Sequence, residues 1–190
     1  MKISVLCTNR NSIYKKLGLD CYDETRNVRT YTGTTPVIAH PPCREYSTFL
    51  RHRANAPAGE KDLALFCTER IKLYGGILEH PRHSHYVKHF IGKPSWQVLS
   101  VNQKWWGHPT TKSTWLLMPD WYQIPELPFN LVPHQAPENQ IANMSKTQRS
   151  ATPILFAKFL IDTIRLNHAN IATPITRTAL HREIKCDGRT

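Results

Sequence analysis

Apolar residues along this chain come in short bursts, and most bursts stop at a proline or a glycine. Residues 2–6 (KISVL) and 36–39 (PVIA) are β-branched and too short for helices, so they predict two buried strands. Residues 76–79 (GILE) predict a third strand that stops at Pro81, and Val98–Val101 and Trp115–Met118 predict two more. Between them lie helical patterns. Ser12–Gly18 reads as a short helix with Ser12 at its cap and Gly18 just past its end. Residues 59–74 place Leu63, Phe66, Cys67, Arg70, Ile71 and Tyr74 at helical spacing and end at Gly75-Gly76. Residues 151–166 form the strongest helical pattern, with Thr152 as its cap and Pro153 at its first position.

Strands alternating with helices predict an α/β fold with a mostly parallel sheet and flanking helices. Sites in such sheets lie beyond the carboxyl ends of the strands. The strand exits after Ala39 and after Glu79 are then expected to face one crevice, with Cys43 and Glu79 side by side. Residues 19–35 are polar, and residues 119–144 hold five of the fourteen prolines, an irregular excursion and not a domain. The pattern weakens after Asn167. One domain over residues 1–166 is expected, followed by a loosely attached basic tail over 167–190.

Composition adds a partner and a compartment. The chain has 190 residues, 40% hydrophobic and 21% charged, which suits a globular domain. Lys and Arg number 25 against 14 Asp and Glu, a net charge of +11, with ten histidines besides. Such an excess points to a nucleic-acid partner, although a protein that is merely basic has the same composition. The charges are spread along the chain, which favours a folded patch over a basic arm. The five cysteines, Cys7, Cys21, Cys43, Cys67 and Cys186, are odd in number and form no CxxC, so reduced thiols are expected. No run is long enough to span a bilayer and Met-Lys-Ile-Ser is no secretory leader, so a cytoplasmic protein without membrane contact is expected.

The stretch IAHPPCREYSTF (38–49) carries the chemistry. Two prolines end the strand and hold Cys43 in a stiff turn at a sheet edge. Cys43 there is a presented nucleophile or a small buried hydrophobe. Glu79 closes the apolar strand 76–79, where a carboxylate needs a partner or a purpose. A thiolate that adds to carbon 6 of a pyrimidine makes carbon 5 carbanion-like, and an acid at ring nitrogen 3 eases the addition. One Cys and one Glu converging on a flipped-out base suffice for that activation.

In order and spacing these motifs resemble the DNA cytosine-5 methyltransferases over most of the chain. PPCREYS (41–47) resembles that family's Pro-Cys-Gln-x-Phe-Ser motif, which implies Cys43 as nucleophile, with Pro42, Arg44, Tyr46 and Ser47 around it. LEHP (78–81) resembles its Glu-Asn-Val motif, which implies that Glu79 meets the base ring nitrogen and that His80 follows beside it. WGHPTTKSTWLLM (106–118) is similar to its Gly-x-Pro-Gln-x-Arg-x-Arg segment; Gly107 and Pro109 match, and His108, Lys112 and Thr114 are implied base or DNA contacts. TQRSATPILFAKFLIDTI (147–164) resembles the helix that folds back toward the cofactor, with Arg149 a further contact. VLCTNRNSIYKKLGLDCYDE (5–24) has the outline of the first strand, loop, helix and acidic strand end, which implies Thr8, Asn9, Asn11 and Asp23 as the cofactor-binding positions.

The departures shape what the resemblance implies. The glycines of the family's cofactor loop are replaced by Cys7-Thr8-Asn9-Arg10, where close approach of S-adenosylmethionine to the backbone needs glycine. The donor is therefore left open: S-adenosylmethionine, another donor, or water. The short gap from Asp23 to Pro36 implies a missing strand–helix unit, and residues 119–144 are too few for the family's target recognition domain. The resemblance thus implies a Rossmann-like methyltransferase-type sheet, reduced in size, of mobile-element or bacteriophage origin and reliant on a protein partner for target selection. It implies a transferase that modifies cytosine carbon 5 in DNA. Two alternatives stand beside it: a non-catalytic protein that binds or masks DNA, and an enzyme acting on free pyrimidine nucleotides.

No metal is expected. His40, His80, His83, His85 and His89 fit no zinc spacing. Trp96, Trp105 and Trp106 either stack on a base or pack beneath the sheet. Lys104 is a phosphate contact or a solvated lysine, and Asp23 and Arg26 position a ribose or phosphate or pair with each other.

Overall fold

A computed structural model describes residues 1–46, 56–128 and 144–171 of the chain. Six strands build one sheet: β1 (Ser4–Leu6), β2 (Asp20–Tyr22), β3 (Val37–Ala39), β4 (Gly76–Pro81), β5 (Trp96–Asn102) and β6 (Ser113–Pro119). Their order across the sheet is β2-β1-β3-β4-β6-β5. The pairs β1–β2, β1–β3 and β3–β4 are parallel, while β6 runs antiparallel to both β4 and β5. The helices are α1 (Ile13–Lys16), α2 (Asp62–Tyr74), α3 (His85–Lys88), α4 (Lys146–Ser150) and α5 (Ile154–Ile171). This is the expected α/β class. Chain order reverses between β1 and β3, the place where open α/β sheets carry their sites at the carboxyl ends of the strands.

Short strands suffice because both faces of the sheet are covered. On one face Val5, Ile38, Ile77 and Leu116 pack with Tyr14 of α1 and with Phe156, Leu160 and Ile164 of α5, all essentially buried. On the other face Leu6, Val37, Ala39, Leu78 and Leu117 meet Ala64, Cys67 and Ile71 of α2 and Tyr86 and Val87 of α3. Alternate residues of each strand therefore feed opposite cores, the period of two that strands impose.

Local signals act as expected at most ends. The Ser12 hydroxyl accepts the Tyr14 N–H at 3.3 Å and caps α1. At the start of α5 the Pro153 carbonyl accepts the Ala157 N–H at 2.9 Å, so the proline stands at the cap itself, one position earlier than expected. Beyond the expected boundary at residue 166, α5 continues to Ile171 and is tied down. The Asn167 side chain exchanges two hydrogen bonds with the Gln123 backbone, at 2.6 and 2.9 Å, and His168 Nε2 lies 2.9 Å from the Tyr122 hydroxyl. The part of the expected tail from residue 172 onward lies outside the described residues, as does Cys186.

Gly76 is the tightest backbone approach. Its φ is +135°, and a Cβ added there would stand 2.1 Å from the Val37 carbonyl oxygen of the neighbouring strand. Gly76→Ala is expected to cost about 3 kcal/mol or more, since strain and overpacking coincide. Urea unfolding checks it: a loss below about 0.5 kcal/mol, the size of a surface substitution, contradicts this packing.

Candidate active site

The site begins where β3 runs out of donors. The His40 N–H still bonds the Leu6 carbonyl at 3.0 Å, but Pro41 and Pro42 have no N–H and the ladder ends. The chain then turns through Cys43, whose carbonyl accepts the Tyr46 N–H at 3.1 Å, and the half-buried thiol faces the strand ends. In the neighbouring strand the parallel register pairs Ala39 with Leu78, so His40 and Glu79 come next, side by side on one face. Two segments 39 residues apart thus deliver Cys43, His40 and Glu79 to one edge.

Glu79 is the centre of a polar network inside an apolar wall. One oxygen, Oε2, lies 3.0 Å from His40 Nδ1, and the other, Oε1, accepts from Gln103 Nε2 at 2.9 Å. His40 Nε2 lies 3.1 Å from the hydroxyl of buried Tyr14, and Gln103 Nε2 also donates to Thr114 Oγ1 at 3.0 Å. Burial alone would push the carboxyl pKa up. The His40 bond, the Lys112 charge and the two neighbouring histidines overcome it and hold Glu79 down at about 2. Glu79 is therefore a carboxylate at neutral pH. Burial, then that same charge, push the Tyr14 hydroxyl well above its ordinary range and keep it neutral.

Cys43 feels the same field. Burial raises its thiol, the Glu79 carboxylate raises it further, and Lys112 and Arg44 only partly oppose them. The resting group is a thiol, and a thiolate requires a change of surroundings such as a bound substrate brings. Cys43, Glu79 and Lys112 are the residues whose charges the structure brings within reach of one another.

The other expected contacts divide. Arg44 is half exposed and pairs with Glu60 at 2.8 Å, and Pro42 is half buried beside it. Lys112 Nζ donates to the Ala151 carbonyl at 3.1 Å, which ties the strand-end site to the start of α5. Arg149 is exposed on α4. Three residues expected to meet a base or DNA are instead internal: His80, His108 and Thr114. His108 Nδ1 lies 2.9 Å from the Thr110 carbonyl and braces its own turn. His80 points to the opposite core, beside Tyr46 and Tyr86 at ring distances of 6.0 and 6.3 Å. Ser47 lies outside the described residues. Trp106 packs on Phe156 and Phe159, at 5.0 and 4.8 Å, and Trp96 meets Phe90 at 5.3 Å.

At the end of β1 the expected cofactor loop is occupied by its own residues. Cys7 takes a left-handed φ of 60°, the conformation glycine would supply, yet it brings a side chain whose sulfur lies 3.8 Å from Cys67. Thr8 is buried with its hydroxyl on the Tyr22 carbonyl at 3.3 Å, while Asn9 and Asn11 are exposed. Asp23 takes Lys15 at 2.5 Å and the N–H groups of Thr25 and Arg26 at 2.9 and 3.0 Å. Those bonds, Lys15 first, hold its carboxyl down at about 2. The Arg26 guanidinium turns instead to Asp20 and lies over the Tyr22 ring. Asp23 is thus held by Lys15 and its own turn, and the loop after β1 carries side chains and no glycine. Among the described residues no three His, Cys, Asp or Glu side chains gather to hold a metal, and no helix is long and apolar enough to cross a membrane.

Tyr14, His40 and Gln103 are the site residues that the motifs did not single out for this role. Their only sequence signals were polar groups beside apolar runs, His40 after VIA and Gln103 after VLSVN.

Acid stability carries the site's signature. Burial pulls His80 down from 6.5 to about 4, so the folded ring stays neutral while the unfolded one takes a proton below 6.5. Its contribution is full above pH 6.5 and falls by about 3 kcal/mol as pH drops to 4. Glu79 adds a second loss between its ordinary 4.5 and about 2. In His80→Leu, denaturant unfolding between pH 6.5 and 4 is expected to lose one proton's worth of pH slope; an unchanged slope contradicts the burial of His80.

No protein-family model and no curated protein sequence matches this chain.

Proposed function

We propose that the chain modifies a pyrimidine base, cytosine in DNA foremost, at carbon 5 through a covalent bond between Cys43 Sγ and carbon 6. The observation that carries this reading is the convergence of Cys43 and an ionised, doubly hydrogen-bonded Glu79 at adjacent strand ends. The thiol is the nucleophile that addition to carbon 6 needs, and the fixed carboxylate is a group that can hold a proton at ring nitrogen 3. The Cys43 thiol gives its proton to solvent and the sulfur bonds carbon 6, while the carbon 5–carbon 6 π pair shifts through the ring to nitrogen 3, which carries a proton taken from solvent and hydrogen-bonded to the Glu79 carboxylate. Carbon 5 then takes an electrophile and loses its proton, and the sulfur–carbon 6 bond breaks to restore the ring. Lys112, whose charge reaches both groups, counters the negative charge of the thiolate. A methyltransferase-type ancestry, reduced in size, agrees with the reversal of chain order between β1 and β3. The net charge of +11 suits a DNA strand.

A second reading, a non-catalytic DNA-binding protein of the same ancestry, is favoured by one observation: the loop after β1 is filled by its own side chains. It predicts salt-sensitive DNA binding that ignores loss of Cys43.

Mass spectrometry of nucleosides from cellular DNA, after expression of the wild type and of Cys43→Ala, separates the two. A modified pyrimidine present with the wild type and absent with Cys43→Ala is the expected result, and the added mass names the donor. Unmodified DNA in both, with binding intact, overturns the proposal in favour of the second reading.

A further inference from the structure

Alternation along β1 would send Cys7 to the same face as Val5, toward Tyr14 and α5. It goes the other way. With φ at 60° the backbone turns, and the side chain packs with Leu6 in the opposite core, against α2. A left-handed residue that carries a side chain is strained, where a glycine would not be. That turn sets the Cys7 sulfur 3.8 Å from the sulfur of Cys67, 60 residues along the chain and in the middle of α2. Among the described cysteines this is the one pair of sulfurs in contact. The backbone around Cys7 is anchored on both sides. The Leu6 carbonyl accepts the His40 N–H at 3.0 Å, and the Thr8 N–H donates to the Tyr22 carbonyl at 2.9 Å. The two thiols are unequal in access: Cys67 is fully buried, whereas Cys7 is half-buried and open to a small solute.

We propose that Cys7 and Cys67 form an oxidation site that closes to a disulfide when the protein meets a peroxide, and so ties the end of β1 to α2. The site is separate from Cys43 and from the reaction proposed for it. The Cys7 thiol gives its proton to solvent, and the sulfur attacks one oxygen of the peroxide. The oxygen–oxygen bond breaks, the outer oxygen leaves as water after taking a proton, and Cys7 becomes a sulfenic acid. The Cys67 sulfur then attacks the Cys7 sulfur. The sulfur–oxygen bond breaks, and the departing hydroxide takes the Cys67 proton and leaves as water. The two sulfurs together lose two electrons, and the peroxide gains them. Contact with Cys7, then burial, holds the Cys67 thiol well above its ordinary range, which agrees with a resolving group that reacts second. The sulfurs must close to about 2.05 Å, a movement that side-chain rotation supplies once they already touch. The finished bridge encloses a long loop and removes freedom from the unfolded chain.

The full chain, reduced and then freed of reductant, is exposed to hydrogen peroxide, blocked with iodoacetamide and digested without reduction. Mass spectrometry is expected to find the Cys7 and Cys67 peptides joined, lighter by two hydrogens than the separate thiol peptides and released by dithiothreitol. Cys43→Ser is expected to form the same bridge. Thermal unfolding of the oxidised protein is expected to shift up by about 5 °C or more, reversed by dithiothreitol and absent in Cys7→Ser. In Cys67→Ala, which keeps the core apolar, Cys7 has no resolving partner and is expected to stop at the sulfenic acid, trapped by dimedone. Recovery of Cys7 and Cys67 as free thiols after peroxide overturns the inference. So does a bridge from Cys7 to Cys21, Cys43 or Cys186, or Cys7 carried to sulfinic acid beside an intact Cys67 thiol. A bridge that lowers the unfolding temperature also overturns it, since that bridge would form only by distorting the fold.

Discussion

A carboxylate buried at the end of an apolar strand is the constraint around which this molecule is arranged. Removing the charge of Glu79 from water costs several kcal/mol unless donors replace the lost hydration. Here two donors come from distant parts of the chain, His40 after β3 and Gln103 after β5, and the charge of Lys112 before β6 adds to them. Each donor can arrive only if the sheet register is correct. The charge therefore makes the fold specific, because a slip of one residue would leave the carboxylate without partners.

The same charge opposes the neighbour it is proposed to serve. Glu79 raises the Cys43 thiol, and Lys112 and Arg44 do not fully compensate. In the proposed reaction a base that brings donors to Glu79 withdraws part of that field from Cys43.

Some of this architecture was legible in the sequence because it depends on local rules. Pro41-Pro42 and Pro81 punctuate strands by lacking donors, Gly75-Gly76 ends α2, and the apolar face of 154–166 announces α5. Adjacency of Cys43 and Glu79 followed from the parallel α/β reading alone. What stayed hidden depends on partners far away. The residues of β2, Asp-Cys-Tyr, carry no apolar pattern; only the resemblance implied a strand end there, and pairing with β1 forms it. The antiparallel sense of β6 leaves no mark in its own composition. The hydrogen bonds from Gln103 to Thr114 and Glu79 join residues whose types are ordinary on any surface. His80 and His108 looked like base or DNA contacts because they lie in the segments that resemble the family's motifs; the structure gives them packing and turn-bracing roles.

The ionisation of Glu79 is the claim on which both the fold's specificity and the proposed chemistry rest. The most direct test is a carbon-13 NMR titration of the Glu79 side-chain carboxyl in the full chain, assigned by comparison with Glu79→Gln. The structure predicts a carboxylate signal that persists as pH falls well below 4.5 and moves only near 2, where the fold itself is being lost. A signal that titrates at 4.5 or above would show a carboxyl able to donate, and would contradict the network of His40, Gln103 and Lys112 described here.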